Sequence, residues 1–280
     1  MHSFLLTRVN DSMIERYALG VSYEGSQYFG WQHQPKALTV QCCVEKALFE
    51  MTGESVNAIC AGRTDKGVHA LNQVVHFDTR KSRDEYTWIM GLNAHLPHSI
   101  RVHWIQKVAQ DFHARFSACS RHYRYLILND RVGSPHLNAL MTWYPFPLDH
   151  ERMQTGACFL LGDHDFSAFR GKHCQSLSPI RRVTHLEISR QGKIIQIDIK
   201  ANAFLHHMVR NIVGTLFAVG RRKVPPEWIA EVLASRQRRE AGVTAPPQGL
   251  YFMKVDYPEP YAHLGMEALL APADLSFNTQ

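Results

Sequence analysis

An α+β fold made of two successive βαββαβ units is predicted for this chain of 280 residues, and three observations predict it. Stretches that alternate apolar and polar residues signal strands, and stretches with apolar residues three and four apart signal helices. Read in order, these stretches give strand, helix, strand, strand, helix, strand, and then the same series again. The length suits two domains at a prior of roughly 150 residues each. With 45% apolar and 20% charged residues the composition is that of a globular protein, which leaves out disordered, collagen-like and coiled-coil classes.

The first unit opens with Tyr17, Leu19, Val21 and Tyr23, an alternating strand. Thr39 is placed to cap a helix carrying Val40, Cys43, Val44, Ala47, Leu48 and Met51, and Gly53 stops it. Val56, Ala58 and Cys60 give a second strand, and residues 74–77 a third. Asp84 can cap a helix bearing Trp88, Ile89 and Leu92, and Ile100, Val102 and Trp104 alternate as the fourth strand. In the second unit Tyr123, Tyr125 and Ile127 alternate. A helix is expected from Asp149 through Met153, Ala157, Leu160 and Leu161 to a stop at Gly162, and strands over 183–188 and 194–199. The strongest helix is expected over 205–219, with Met208, Val209, Ile212, Val213, Leu216 and Phe217 inward and Gly220 as its stop. A strand over 250–255 closes the unit.

This order implies two split-βαβ, ferredoxin-like units with antiparallel sheets and helices on one face. The open face of such a sheet, when it carries aromatic and cationic side chains, is a platform for loop or single-stranded RNA. The expected bounds are 1–111 and 112–257 for the two domains, with 258–280 as a peripheral tail.

Lysine and arginine number 31 against 25 aspartate and glutamate, a net charge of +6 that permits a polyanionic partner. The cations come in small groups, Arg181-Arg182, Arg221-Arg222-Lys223, and Arg236, Arg238 and Arg239. No apolar run approaches the ~18 residues of a membrane span. The opening MHSFLLTRVN has a four-residue apolar patch and no plausible cleavage site, so no signal peptide is expected. The six cysteines, Cys42, Cys43, Cys60, Cys119, Cys158 and Cys174, form no C-x-x-C pair and are expected to be reduced, as in a cytoplasmic protein.

Chemistry is densest in Ala61-Gly62-Arg63-Thr64-Asp65-Lys66-Gly67-Val68-His69-Ala70, between two expected strands. Gly62 and Gly67 allow sharp turns and close approach by another chain. Asp65 lies between Arg63 and Lys66, and neighbouring cations favour an ionised carboxylate. Such a group can be a nucleophile in glycosyl chemistry; spacing alone equally allows a polar turn in which Asp65 is a cap.

The run Gly62-Arg63-Thr64-Asp65-Lys66-Gly67-Val68-His69-Ala70 resembles the signature of the tRNA pseudouridine synthase A family. Further segments resemble that family in its order. They are Tyr23-Glu24-Gly25 with Phe29-Gly30-Trp31-Gln32, Gln73-Val74-Val75-His76-Phe77, Gly91-Leu92-Asn93-Ala94-His95-Leu96-Pro97, and Phe112-His113-Ala114-Arg115-Phe116-Ser117-Ala118. Arg121-His122-Tyr123-Arg124-Tyr125, Asp165-Phe166-Ser167-Ala168-Phe169, and the segment from Phe204 through His206-His207-Met208-Val209-Arg210-Asn211 to Gly214 complete the set. The similarity spans about residues 15–257.

The resemblance implies isomerisation of uridine to pseudouridine at nucleotides 38, 39 and 40 of the tRNA anticodon stem-loop, in a cleft between the two units. It implies no metal or organic cofactor, no membrane partner, and a homodimer whose two subunits share the tRNA. It places Asp65 as the catalytic aspartate and Tyr123 as the active-site tyrosine that stacks on the target base and deprotonates its C5 at the end. Arg210 would pair with the aspartate, Arg63 would hold phosphate or the extruded nucleotide, and Leu250 would pack on the base. Without the resemblance, Tyr123 and Leu250 read equally as core strand residues and Arg210 as a solvated surface residue. Arg115, Arg121, Arg124, Arg170, Lys172, Arg181 and Arg182 are candidate RNA-backbone contacts.

Two rival readings remain on chemical grounds. A metal centre could use His206, His207, His69 and Asp65, but adjacent histidines on a helix diverge by about 100° and chelate poorly. A non-catalytic tandem RNA-binding module explains charge and fold but not the aspartate-centred glycine loop, and no RNP1-type run is present.

Overall fold

Alternation in the sequence becomes a strand at β1 (Glu15–Tyr23), whose inward residues Tyr17, Leu19, Val21 and Tyr23 are all buried. In the computed structural model, which describes residues 13–264, α1 (Val40–Thr52) follows. The Thr39 hydroxyl accepts from the Cys42 N–H, and Gly53 closes the helix in the left-handed region, as the sequence predicts. Next come β2 (Ile59–Cys60), β3 (His69–Thr79), α2 (Glu85–His95) and β4 (Ile100–Val108). Asp84 caps α2 by accepting from the Thr87 N–H at 2.9 Å.

The second half runs β5 (Ser120–Asn129), β6 (Thr142–Tyr144), α3 (His150–Ala157), β7 (Gly162–Asp165), β8 (Ile180–Gln191), β9 (Ile194–Ala201), α4 (Met208–Gly220), α5 (Trp228–Ser235) and β10 (Leu250–Asp256). The strands form one mixed sheet in the order β4-β1-β3-β10-β5-β9-β8-β7, with β2 also on β3 and β6 also on β5. This corrects the expectation of antiparallel sheets throughout: β3 pairs with β10, and β5 with β6, in parallel. The reason lies in strand lengths. β3 has 11 residues and β2 only two, paired to His76 and Val75. The start of β3 therefore keeps a free edge, and β10 adds there through Tyr251↔His69 and Phe252↔Ala70. The loop between β2 and β3 emerges at this seam, where the two halves of the chain meet.

Other elements depart from the sequence reading. The helix expected from Asp149 to Gly162 ends at Ala157; a tight turn over Cys158–Leu160 follows, and Gly162, at φ +99°, begins the edge strand β7. The helix expected from residue 205 starts at Met208, because His207 sits in the left-handed region at φ +60°. β6, β7 and α5 were not anticipated.

Buried apolar residues from both halves form one large cluster, which includes Trp31, Trp88, Phe77, Tyr125 and Phe252. Asn211 on α4, fully buried, ties three segments together. Its amide donates to the Phe169 carbonyl at 2.7 Å, and its oxygen accepts from Thr244 at 2.7 Å and Arg238 at 3.0 Å. All six cysteines are free thiols. Among the described residues no helix is long and apolar enough to cross a membrane. The opening decapeptide and residues 265–280 of the expected tail lie outside the described residues.

Candidate active site

Each residue of the loop between β2 and β3 is held by a specific partner. The buried Gln73 amide clamps Gly62, donating to its carbonyl at 2.6 Å and accepting from its N–H at 3.2 Å. The Tyr23 hydroxyl meets the Thr64 hydroxyl at 2.8 Å, and the Trp31 N–H donates to the Thr64 carbonyl at 3.0 Å. The Gly67 N–H donates to the Tyr28 carbonyl, and the Val68 N–H returns to the Asp65 carbonyl at 3.1 Å. Gly30 packs directly on this turn: at φ +88°, a Cβ there would stand 2.6 Å from the Thr64 oxygen. So Phe29-Gly30-Trp31 is the shelf that fixes the backbone on either side of Asp65.

Asp65 projects from this turn with its side chain 24% exposed. Three groups from the entry to α4 face it. Arg210 brings Nη1 to 3.2 Å from Oδ2, His207 Nε2 lies 3.3 Å from Oδ2, and His206 Nε2 lies 3.5 Å from Oδ1. Arg210 is itself anchored. Its Nε donates to the Ala245 carbonyl at 2.8 Å, and its carbonyl accepts the Ala245 N–H at 3.0 Å. The segment carrying Ala245 lies against α4 at Gly214, where a Cβ would stand 1.7 Å from the Val243 oxygen. Burial holds the His207 imidazole below the usual histidine range, against the pull of the Asp65 charge.

Tyr123, on β5, is buried, with its ring edge-on to Phe204 at 5.0 Å and to Phe252 at 5.2 Å. Burial, with smaller contributions from Tyr23 and Asp65, pushes its phenol far above the usual range, so it stays neutral. Leu250, the first residue of β10, is also buried. Arg63 is exposed and reaches Gln175 at 3.4 Å on the turn before β8.

The structure places all five sequence-predicted site residues, Asp65, Arg63, Tyr123, Arg210 and Leu250, around one cavity of about 620 Å³. That volume lies within the range of small-ligand sites. A second cavity of about 540 Å³ opens on the other flank of Asp65, sharing Lys66, His207 and Arg210 with the first and walled by Asn138 and Gln248.

The candidate RNA-backbone contacts divide. Arg115, Arg121 and Arg181 line the cavity. Arg121, however, is buried and donates to the carbonyls of Ala61, Arg115, Ala118 and Asn202. Arg124 pairs with Asp198 at 3.0 Å, Arg170 holds the Cys174 and Ser176 carbonyls, and Arg181 holds Ser176 and Ser178. These four guanidinium groups act as struts inside the fold. Lys172 and Arg182 are exposed, the latter 3.6 Å from Asp163.

The geometric objection to the histidine pair does not hold. His206 and His207 precede α4 instead of lying on it, and their rings stack at 3.8 Å and 28°, both facing Asp65. His69 is elsewhere, buried between the Gly25 N–H and the Gln248 carbonyl. Sequence reasoning did not find Gln73, the Gly30 contact or the Ala245 carbonyl as supports. The Gln73 clamp is a long-range pairing with no local signature, whereas Gly30 inside Phe29-Gly30-Trp31 was a visible sign of close backbone approach.

The family described as tRNA pseudouridine synthase matches residues 20–117 and 157–258 of the chain. The chain is 53% identical over 244 residues to the tRNA pseudouridine synthase A of Colwellia psychrerythraea, covering 87% of this chain and 94% of that protein. It is 52% identical to the protein of the same description from Nitrosococcus oceani, covering 92% and 98%. The counterpart from Pectobacterium atrosepticum is also 52% identical, covering 88% and 87%.

Proposed function

From the premise that the chain belongs to the tRNA pseudouridine synthase family, we propose that it isomerises uridine to pseudouridine at nucleotides 38, 39 and 40 of the tRNA anticodon stem-loop, with Asp65 as the reacting carboxylate. The enzyme is an isomerase that acts on tRNA; the target positions and the residue roles are the finer part of this reading. The observation that carries it is the partly exposed Asp65 carboxylate in the cavity wall, 3.2 Å from an anchored Arg210.

The chemistry is self-balancing. The bond from N1 to the sugar C1′ breaks, the uracil turns, and C5 joins C1′; C5 loses a proton and N1 gains one. No electron acceptor and no cofactor is required. Asp65 traps or stabilises the C1′ centre while the base is free. Arg210 orients the carboxylate and balances its charge. Tyr123 and Leu250 pack against the turning base, and the neutral Tyr123 phenol is a hydrogen-bond donor to it. Arg63, exposed at the rim, holds a phosphate or the extruded nucleotide. The target uridine leaves its stack to reach Asp65, which costs least near the loop end of the stem.

In this reading residues 1–111 and 112–257 are two ferredoxin-like units that meet at the β3–β10 seam, and the cleft between the units is the active site; Tyr261 and Leu264, in the segment expected as a peripheral tail, pack against the core instead. Strand orders β4-β1-β3-β2 and β10-β5-β9-β8 support the two-unit reading, since, with the short β6 and β7 set aside, each is fourth, first, third, second within its own unit. A homodimer that shares one tRNA between subunits, in the cytoplasm, completes the proposal.

The test is purified protein with unmodified tRNA transcripts in excess chelator, pseudouridine being mapped by carbodiimide reactivity, with Asp65→Ala alongside. Modification at 38–40 that the variant lacks supports the reading. Modification elsewhere overturns the substrate, and tight binding without modification leaves an RNA-binding module.

A further inference from the structure

Asp65 faces two imidazoles at distances that suit a bound transition metal. His206 Nε2 lies 3.5 Å from Oδ1 and His207 Nε2 lies 3.3 Å from Oδ2. The three donor atoms all lie within 4.8 Å of one another. A tetrahedral zinc ion with bonds of about 2.0–2.1 Å sets its donors about 3.3 Å apart. Both rings already face the carboxylate. They stack at 3.8 Å, closer than two imidazoles on one tetrahedral ion, so binding splays the pair to bring both Nε2 atoms onto the metal; His207 is turned by its left-handed backbone, and His206 is fixed by the 171–174 turn. In that turn Gly171 donates to the His206 carbonyl at 2.8 Å, and the His206 N–H meets Cys174 Sγ at 3.4 Å. Arg210 donates to Oδ2 and holds the carboxylate in place, the outer hydrogen bond that a ligating carboxylate usually has.

We propose that Asp65, His206 and His207 form an inhibitory site for a borderline divalent cation of the zinc class, which ties up the reacting carboxylate and blocks turnover reversibly. The fourth position faces the cavity, where water completes the coordination. Imidazole ligands exclude magnesium, which takes oxygen ligands, so the ion that tRNA folding needs does not compete. His206 Nδ1 is buried without a partner, so this ligand lacks the outer bond that secures histidines in tight zinc sites. The ion is therefore exchangeable. The inhibitory part rests on Asp65 being the reacting group; the binding part does not.

The experiment titrates wild type, His206→Ala and His207→Asn with cobalt(II), followed by the visible bands of four-coordinate cobalt, then displaced by zinc. Asparagine is chosen because it tolerates the left-handed backbone. The expected result is one such site per wild-type chain, weakened at least about tenfold in each variant. Zinc should also stop single-turnover pseudouridine formation over the same concentration range, with recovery on adding chelator and no block by magnesium. Equal cobalt spectra and affinities in all three proteins would overturn the proposal. Cobalt binding lost in the variants while zinc-loaded wild type still turns over would leave the ion site standing and defeat the reading of Asp65 as the reacting group.

Discussion

Replacing Gly30 with alanine should damage catalysis as well as stability, because Gly30 touches the backbone that aims Asp65. The residue has φ +88°, where an L side chain is strained by about 1 kcal/mol. Its Cβ would stand 2.6 Å from the Thr64 oxygen and 3.0 Å from the Asp65 carbonyl carbon. Reaching ordinary contact requires the Thr64–Asp65 backbone to retreat by about 0.8 Å, and overpacking of this kind costs about 1–3 kcal/mol. The sum, about 2–4 kcal/mol, lowers Tm by roughly 5–15 °C in a chain of this size. A shift of about 1 Å at a reacting group costs about 100-fold in rate, so single-turnover pseudouridine formation should fall by about 30- to 100-fold at a temperature where the variant is folded. Gly53→Ala is the control. Gly53 is also left-handed, at φ +71°, but a Cβ there meets nothing within 4 Å. That variant should lose about 1 kcal/mol and no activity. If Gly30→Ala turns over within twofold of wild type, the shelf does not position the loop and the reasoning fails.

Arg210→Gln removes the charge-assisted bond to Asp65, worth about 1.5–3 kcal/mol, so kcat should fall about 10- to 100-fold while tRNA affinity changes little. Arg210→Lys should rescue only part, since one ammonium cannot hold both Asp65 and the Ala245 carbonyl as the guanidinium does. Gln73→Leu leaves both backbone groups of Gly62 without partners, and urea unfolding should show a loss of about 2–4 kcal/mol. His76 carries a pH dependence. Burial, helped by His113 and Arg16, lowers its pKa to about 4, and its Nδ1 accepts the Ala114 N–H at 3.1 Å. Between about 6.5 and 4 the unfolded chain binds the proton that the folded chain refuses. Stability should be full above pH 6.5 and decline as pH falls towards 4, by roughly 2 kcal/mol. His76→Gln should flatten that decline.

What was legible in the sequence was local. Thr39 with Gly53, and Asp84, marked helix ends because capping is decided within four residues. Strand alternation placed β1, β4, β5 and β9 because their larger apolar side chains recur at every second position, although β1 and β5 prove buried on both faces over part of their length. What was missed depends on distant partners. β7, Gly-Asp-His-Asp, has no strand propensity and exists because β8 offers it an edge. β6 likewise exists through β5. The start of α4 was misplaced because His206-His207 fits the helical period, and no local residue announces a left-handed turn at His207. α5 was the avoidable miss: Pro225-Pro226 before Trp228, with Ile229 and Val232 three apart, is a helix-start signature. The site followed the same division. Asp65 stood out by its glycine-flanked setting, whereas the arginines proposed for RNA were counted by charge alone. Arg121, Arg124, Arg170 and Arg181 proved to be occupied inside the fold.

The most direct test of the central claim replaces one atom of the Asp65 side chain. Asp65→Asn keeps the shape of the carboxylate and removes its charge and nucleophilicity. Single-turnover pseudouridine formation and tRNA affinity should be measured on the same preparation, with chelator present. The account predicts no pseudouridine from the variant while its affinity for tRNA stays within a few-fold of wild type. Pseudouridine formed by Asp65→Asn at the wild-type rate would contradict it.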